Sequence, residues 1–225
     1  MIYSFLNING FLQKEELKVR IFFVIFYSVG IIGFIIPGTR DLFLKLTPLA
    51  IMLSISAIIL FHQLPYDRKT IVAFSSVFIG TWCIEAIGVA TGAIFGSYSY
   101  GSGLGIKIFN TPLLIGLNWL LLIYCTSCIT EGLNMPPGFR VLIASLFMVL
   151  YDFIMENVAQ DLEMWSFEDG LPPVKNYVSW FLIAVIIHSV FRLAGIKTIN
   201  RIAPFIFILQ SLFFILLIFL FRISA

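Results

Sequence analysis

Thr70-Ile-Val-Ala-Phe-Ser-Ser-Val-Phe-Ile-Gly-Thr-Trp-Cys-Ile-Glu85-Ala-Ile-Gly88-Val-Ala-Thr-Gly92-Ala-Ile94 decides the fold. It is long and apolar enough to cross a hydrocarbon core about 30 Å thick, which takes about 20 helical residues. Yet an ionisable carboxylate, Glu85, sits well inside it. On an ideal helix Glu85 would lie about nine residues, roughly 14 Å, from the end at Ile94. Gly88 and Gly92 share its face and Gly96 continues the small-residue series, which predicts close helix packing or a groove for a slender apolar ligand.

Similar apolar runs span Val19 to Ile36, Leu42 to Leu64, Thr111 to Thr130, Val141 to Val158, Tyr177 to Leu193 and Ile202 to Phe221. Backbone polar groups in hydrocarbon must be satisfied within the segment, so spans of this length are helices. The expected fold is all-α: a polytopic transmembrane helix bundle of about seven spans, forming one integral-membrane domain over residues 1–225. Hydrophobic residues make up 60 % and charged residues 12 % of the 225, far from the roughly 25 % charged of a soluble domain. Residues 1–18 carry Lys14, Glu15, Glu16 and Lys18 without a convincing cleavage site, and are expected to be retained.

Nine Lys and Arg residues fall in the N-terminal segment or around the second, fourth and sixth connections: Lys14, Lys18, Arg20, Arg68, Lys69, Arg140, Arg192, Lys197 and Arg201. Five fall on the other side: Arg40, Lys45, Lys107, Lys175 and Arg222. Positive charge collects on the cytoplasmic side, so the N-terminus is expected inside the cytoplasmic membrane and the third and fifth connections outside. A net charge of +2, spread around the spans, gives no patch for nucleic acid. Cys125 and Cys128 form a lone C-x-x-C inside a run, with no second pair and no nearby His; packing is expected there instead of zinc.

Polar groups inside a membrane mark function, and here they collect at one depth. The third connection opens with Tyr98 and Tyr100, expected as interfacial anchors. The fourth run carries Asn118 and Trp119, with Thr111, Asn118 and Cys125 on one face. The fifth ends in Asp152 and Glu156, four residues apart on one stripe. The fifth connection, from Gln160 to Asn176, reads as a mostly solvated loop with Trp165 at its rim, leading to Asn176 and Trp180. The first two and last two runs read mainly as scaffold. The outer half of the bundle is thus expected to hold an acidic, aromatic pocket open toward the outer leaflet. Two histidines, His62 and His188, cannot build a His-rich di-iron centre, and no nucleotide, flavin or haem motif or hydrolytic triad occurs. Neither a cofactor nor a metal is expected.

The series Glu85-x-x-Gly88-x-x-x-Gly92-x-x-Phe95-Gly96-x-Tyr98-x-Tyr100, Leu104-Gly105, Pro112, Asn118-Trp119, Asp152-x-x-x-Glu156, Trp165, Pro173-x-x-Asn176 and Trp180 resembles the membrane carotenoid hydratases. These are enzymes of the bisanhydrobacterioruberin hydratase and γ-carotene 1′-hydratase type. The resemblance covers Glu85 to Trp180 and departs at Asn157, where the family often has proline. It implies a cofactor-independent hydro-lyase of carotenoid 1,2-hydratase type, adding water to the terminal C=C of an acyclic or monocyclic carotenoid to give a tertiary alcohol. Membrane lipid and other carotenoid-pathway enzymes are the further partners it implies.

The residue chemistry agrees. A carboxylic acid removed from water keeps its proton at neutral pH; protonating a terminal alkene gives a tertiary cation; aromatic faces stabilise a cation by roughly 0.5–2 kcal/mol each. Asp152 is the expected proton donor, Glu85 the base or water orienter, or the reverse, and Glu156 tunes the pair. Gly88, Gly92, Gly96, Tyr98, Tyr100, Asn118, Trp119, Trp165, Asn176 and Trp180 are the expected substrate-binding residues, with Trp82 a further candidate to face the cation. Two alternatives share these residues: a non-catalytic membrane carotenoid-binding protein, and a proton-coupled transporter, for which no internal repeat is evident in the sequence.

Overall fold

The computed structural model describes residues 15–224. Lys14 and most of the expected retained N-terminal segment lie outside the described residues. Among the described residues, seven helices are long and apolar enough to cross a membrane: α1 (Glu16–Ile35), α2 (Arg40–Leu60), α3 (Arg68–Thr91), α4 (Leu113–Glu131), α5 (Pro137–Glu156), α6 (Val174–Leu193) and α7 (Ala203–Ser224). They make a multi-pass helical membrane protein, as the apolar runs predict. Four short strands accompany them: β1 (Tyr98–Tyr100), β2 (Lys107–Ile108), β3 (Thr111–Pro112) and β4 (Trp165–Phe167).

α4 is the central post. Buried residues make up 67 % of its apolar window, against 22–33 % in the other six helices, and Leu120 to Thr126 are all buried. Local chemistry sets the helix ends. Asp67 caps α3 by accepting from the Thr70 amide at 2.7 Å. Pro112 and Pro173, both extended, precede α4 and α6, where a missing N–H is harmless.

α3 stops earlier than its apolar run suggests. Gly92 takes a left-handed conformation (φ 63°) that ends the helix after Thr91. Glu85 therefore lies six residues, roughly 9 Å, from the helix end. The expected glycine face does not form: Gly92 is the cap and Gly96 (φ 104°) lies in the turn beyond it. A Cβ on Gly88 would lie 2.8 Å from the Phe95 ring, so that glycine admits the returning chain and not a ligand.

The returning chain forms β1, which pairs antiparallel with β4: Tyr98 opposite Phe167, Ser99 opposite Ser166, Tyr100 opposite Trp165. The fifth connection is solvated over much of its length, with nine of residues 160–176 exposed, but it also folds apolar side chains inward. Val158, Ala159, Leu162, Met164 and Trp165 are buried, because this segment closes the end of the bundle. Irregular backbone at such a depth is tolerated where protein covers it.

The β1–β4 pair joins two units of the same layout, α3–β1–α4 and α5–β4–α6. Glu85 and Asp152 each lie 14 residues before the central serine of their strand (99 − 85 and 166 − 152). Pro112 and Pro173 open the second helix of each unit. The antiparallel register relates the two strands by a local two-fold between Ser99 and Ser166. This internal correspondence, unseen in the sequence, brings the two carboxyl-bearing helices to one pocket. α1, α2 and α7 pack outside the pair, and they are more than scaffold: Gln210 donates to Tyr27 Oη (2.7 Å) and Ser54 Oγ (3.1 Å), and accepts from Tyr151 Oη (3.2 Å).

Candidate active site

Glu85, Asp152 and Glu156 converge beneath the β1–β4 pair, with Phe95, Tyr98, Tyr100, Ile115, Trp165, Phe167, Asn176 and Trp180 completing the wall. The space they enclose is about 10 Å³, roughly the volume that one water needs. None of the three carboxyl groups pairs with a Lys or Arg; the ion pairs among the described residues lie elsewhere.

The three are held differently. Glu85 accepts three hydrogen bonds: Tyr98 Oη (2.6 Å) and Tyr100 Oη (2.8 Å) donate to Oε2, and Trp119 Nε1 (2.8 Å) donates to Oε1. Burial first, then the neighbouring Glu85, pushes both phenols above their ordinary range, so both remain donors. Asp152 accepts a single bond, from Asn176 Nδ2 to Oδ2 at 2.9 Å. Its Oδ1 is buried without a partner. An unmet buried polar atom carries a penalty of about 1–3 kcal/mol, more if charged. Glu156, half-buried, accepts from Trp165 Nε1 at 2.9 Å and from the same Asn176 amide at 3.2 Å. Asn176 thus bridges the two carboxyls of α5. At the helix end, Asn157 caps with φ −71°, an angle proline would also adopt, so the departure from the family pattern leaves Glu156 held by Trp165 and Asn176.

The indoles of Trp119 and Trp180 stack at 3.9 Å between centroids with a 19° interplanar angle, one from each unit. Trp180 lines the pocket while Trp119 reaches it through its bond to Glu85. Tyr98, Tyr100, Trp165 and Asn176 also meet there. Five expected members, Trp82, Gly88, Gly92, Gly96 and Asn118, do not. Trp82 bonds the Thr111 carbonyl at 3.5 Å and lies outside the lining. Gly92 and Gly96 turn the chain. Asn118 faces a separate, mostly apolar cavity among α1, α2, α4, α5 and α7, because neighbouring helical residues point roughly 100° apart. Phe95, Ile115 and Phe167 were missed. Phe167 had one readable signal, the repeated aromatic-Ser-aromatic triplet at residues 98–100 and 165–167.

Comparison with known proteins bears directly on this arrangement. The family model described as carotenoid biosynthesis protein matches residues 46–224, which include every wall of the pocket. The chain belongs to this family. It is also 25 % identical, over 158 residues, to the bisanhydrobacterioruberin hydratase of Haloarcula japonica. That match covers 62 % of this chain and 52 % of the relative, so the chain spans about half the length of the curated relative it matches. No solved structure matches.

Proposed function

We propose that this carotenoid biosynthesis family member is a carotenoid hydratase that adds water to the terminal C=C of an acyclic or monocyclic carotenoid, giving a tertiary alcohol. The observation that carries the reading is the unpartnered Asp152 Oδ1, buried beside two further carboxyls around a space for one water. The hydratase named among its relatives supports the same chemistry.

Asp152, as the neutral acid, gives its proton to the terminal alkene carbon that bears one hydrogen. The π pair forms the new C–H bond and leaves a tertiary cation on the dimethyl carbon. Glu85, with its oxygens committed to three donors, acts as a fixed negative centre facing that cation, and the Trp180 face adds cation–π attraction. Its saturation argues against Glu85 as base and moves that role to Glu156, the most solvent-accessible of the three. Water attacks the cation through oxygen, and its proton passes to Glu156. The shared Asn176 amide holds Glu156 beside Asp152, so the proton returns by a short transfer and the cycle closes without a cofactor.

The abundance of Lys and Arg at the opposite end supports an orientation with the pocket in the outer half of the cytoplasmic membrane. Purified protein supplied with an acyclic carotene in heavy-oxygen water tests the reading. Label in a tertiary alcohol is expected; an unchanged, bound pigment would make the protein a carotenoid binder.

A further inference from the structure

A cavity of about 200 Å³ lies among α1, α2, α4, α5 and α7, directly behind the acid pocket. Ile115 and Trp165 line both spaces and form their common wall. Met155 and Tyr151, which flank Asp152 on α5, line the cavity side. Its mouth lies between α1 and α2, where Val29 and Leu46 are lipid-exposed and the small residues Gly30 and Ala50 are half-buried. The lining is mostly apolar; of its polar members, Tyr27, Tyr151 and Gln210 bond one another, while Asn118, 5 % exposed, faces the cavity and its amide bonds no described residue.

We infer that this cavity holds the apolar end of the substrate chain, which reaches the carboxyls from the lipid between α1 and α2, while water reaches them by the Glu156 side. The inference rests on the hydratase reading for the identity of the chain as a polyene. Volume supports an end group. An apolar cavity of about 150 Å³ accommodates a benzene ring, so 200 Å³ takes the last few carbons of a slender chain and leaves the remainder in lipid. Adjacency supports the site, since the cavity shares the lining residues Ile115 and Trp165 with the acid pocket. The competing surface is the larger groove between α3 and α6, about 770 Å³, lined by Val72, Gly80, Ile84, Ile187 and Val190 with Arg68 and Lys69 at one end. It shares no lining residue with the acid pocket. Separate routes also keep the polyene from sealing the water's path, which one common opening would not.

Paired obstructions test this. In nanodiscs loaded with lycopene, Ala50→Phe is expected to lower retained pigment at least five-fold and tertiary alcohol formation in proportion. Gly80→Phe, at a position with no heavy atom within 4 Å of an added Cβ, is expected to leave both unchanged. A measurement on already folded protein guards against misfolding. In a Cys83→Ser background, lycopene is expected to slow alkylation of Leu46→Cys but not of Gly80→Cys. Unaltered pigment in Ala50→Phe, or protection at position 80 alone, would overturn the inference. The two levels separate cleanly: pigment protected at position 46 without alcohol formation sinks the hydratase reading and keeps the site, whereas wild-type hydration by Ala50→Phe sinks the site and keeps the reading.

Discussion

The units α3–β1–α4 and α5–β4–α6 place a carboxyl at the same distance from the same strand position, yet treat it in opposite ways. Glu85 has three donors; its counterpart Asp152 has one and an unmet oxygen. The difference comes from a few side chains. β1 supplies two phenols, whereas β4 supplies an indole and a phenyl, and the Trp165 indole donates to Glu156 instead. Matching layouts bring like groups together; departures from the match set their roles. Saturation fixes a charge in place, and a missing partner leaves an acid free to react.

The largest expected effect breaks the comparison at its reactive member. Asp152→Asn keeps shape and removes the proton, so hydration should fall about 10²–10⁴-fold, the usual range for a general acid, read as unhydrated pigment in a carotene-producing host. Glu85→Gln comes next. Its amide cannot accept from all three donors, so at least one buried donor loses its partner; the expected loss is about 1–3 kcal/mol of stability, together with roughly ten-fold slower hydration, measured by melting and product analysis. Full activity in this variant would remove Glu85 from the mechanism.

Trp119→Phe sharpens the comparison by making Glu85 resemble Asp152, since it frees Oε1. Alone it should slow turnover a few-fold. In an Asp152→Asn background it should restore part of the lost product; no recovery at all would show that saturation is not what separates the two carboxyls. The smallest effect lies outside both units. His62 is buried at the end of α2, its Nδ1 2.7 Å from Tyr124 Oη and its Nε2 unpartnered. Burial holds its pKa below 6.5. An unfolded chain then binds the proton more readily, so stability is full above pH 6.5 and declines as pH falls below it. Melting curves from pH 7.5 to 5.5 should show this decline, and His62→Gln should flatten it.

Much of this was legible in the residues. Seven apolar runs fix the direction of each helix, and direction alone brings Glu85, Asp152, Glu156 and Asn176 to one end. What stayed hidden depends on non-local or weakly patterned features. Strands of three residues give almost no periodicity, so the pairing of residues 98–100 with 165–167 could not be seen, nor the correspondence it reveals. Gly92 read as one of a helical series because a left-handed cap and a packing glycine look alike in sequence. The cavity was hidden for another reason: α1, α2 and α7 are apolar on most sides, and among their few polar residues Tyr27, Ser54 and Gln210 bond one another, which in sequence gives no sign of a hollow. Asn118 was singled out correctly as unusual but belongs to that cavity and not to the acid pocket.

The bonds around Glu85 also bear on how such a chain enters a bilayer. Its two phenols lie 13 and 15 residues downstream and its indole 34, all within a single helical hairpin; Asn176 likewise lies within the same hairpin as both carboxyls of α5. Each hairpin therefore carries its own polar partners into the hydrocarbon. The chain can be inserted two helices at a time, and no carboxyl need wait for the other half of the protein before it is shielded from lipid.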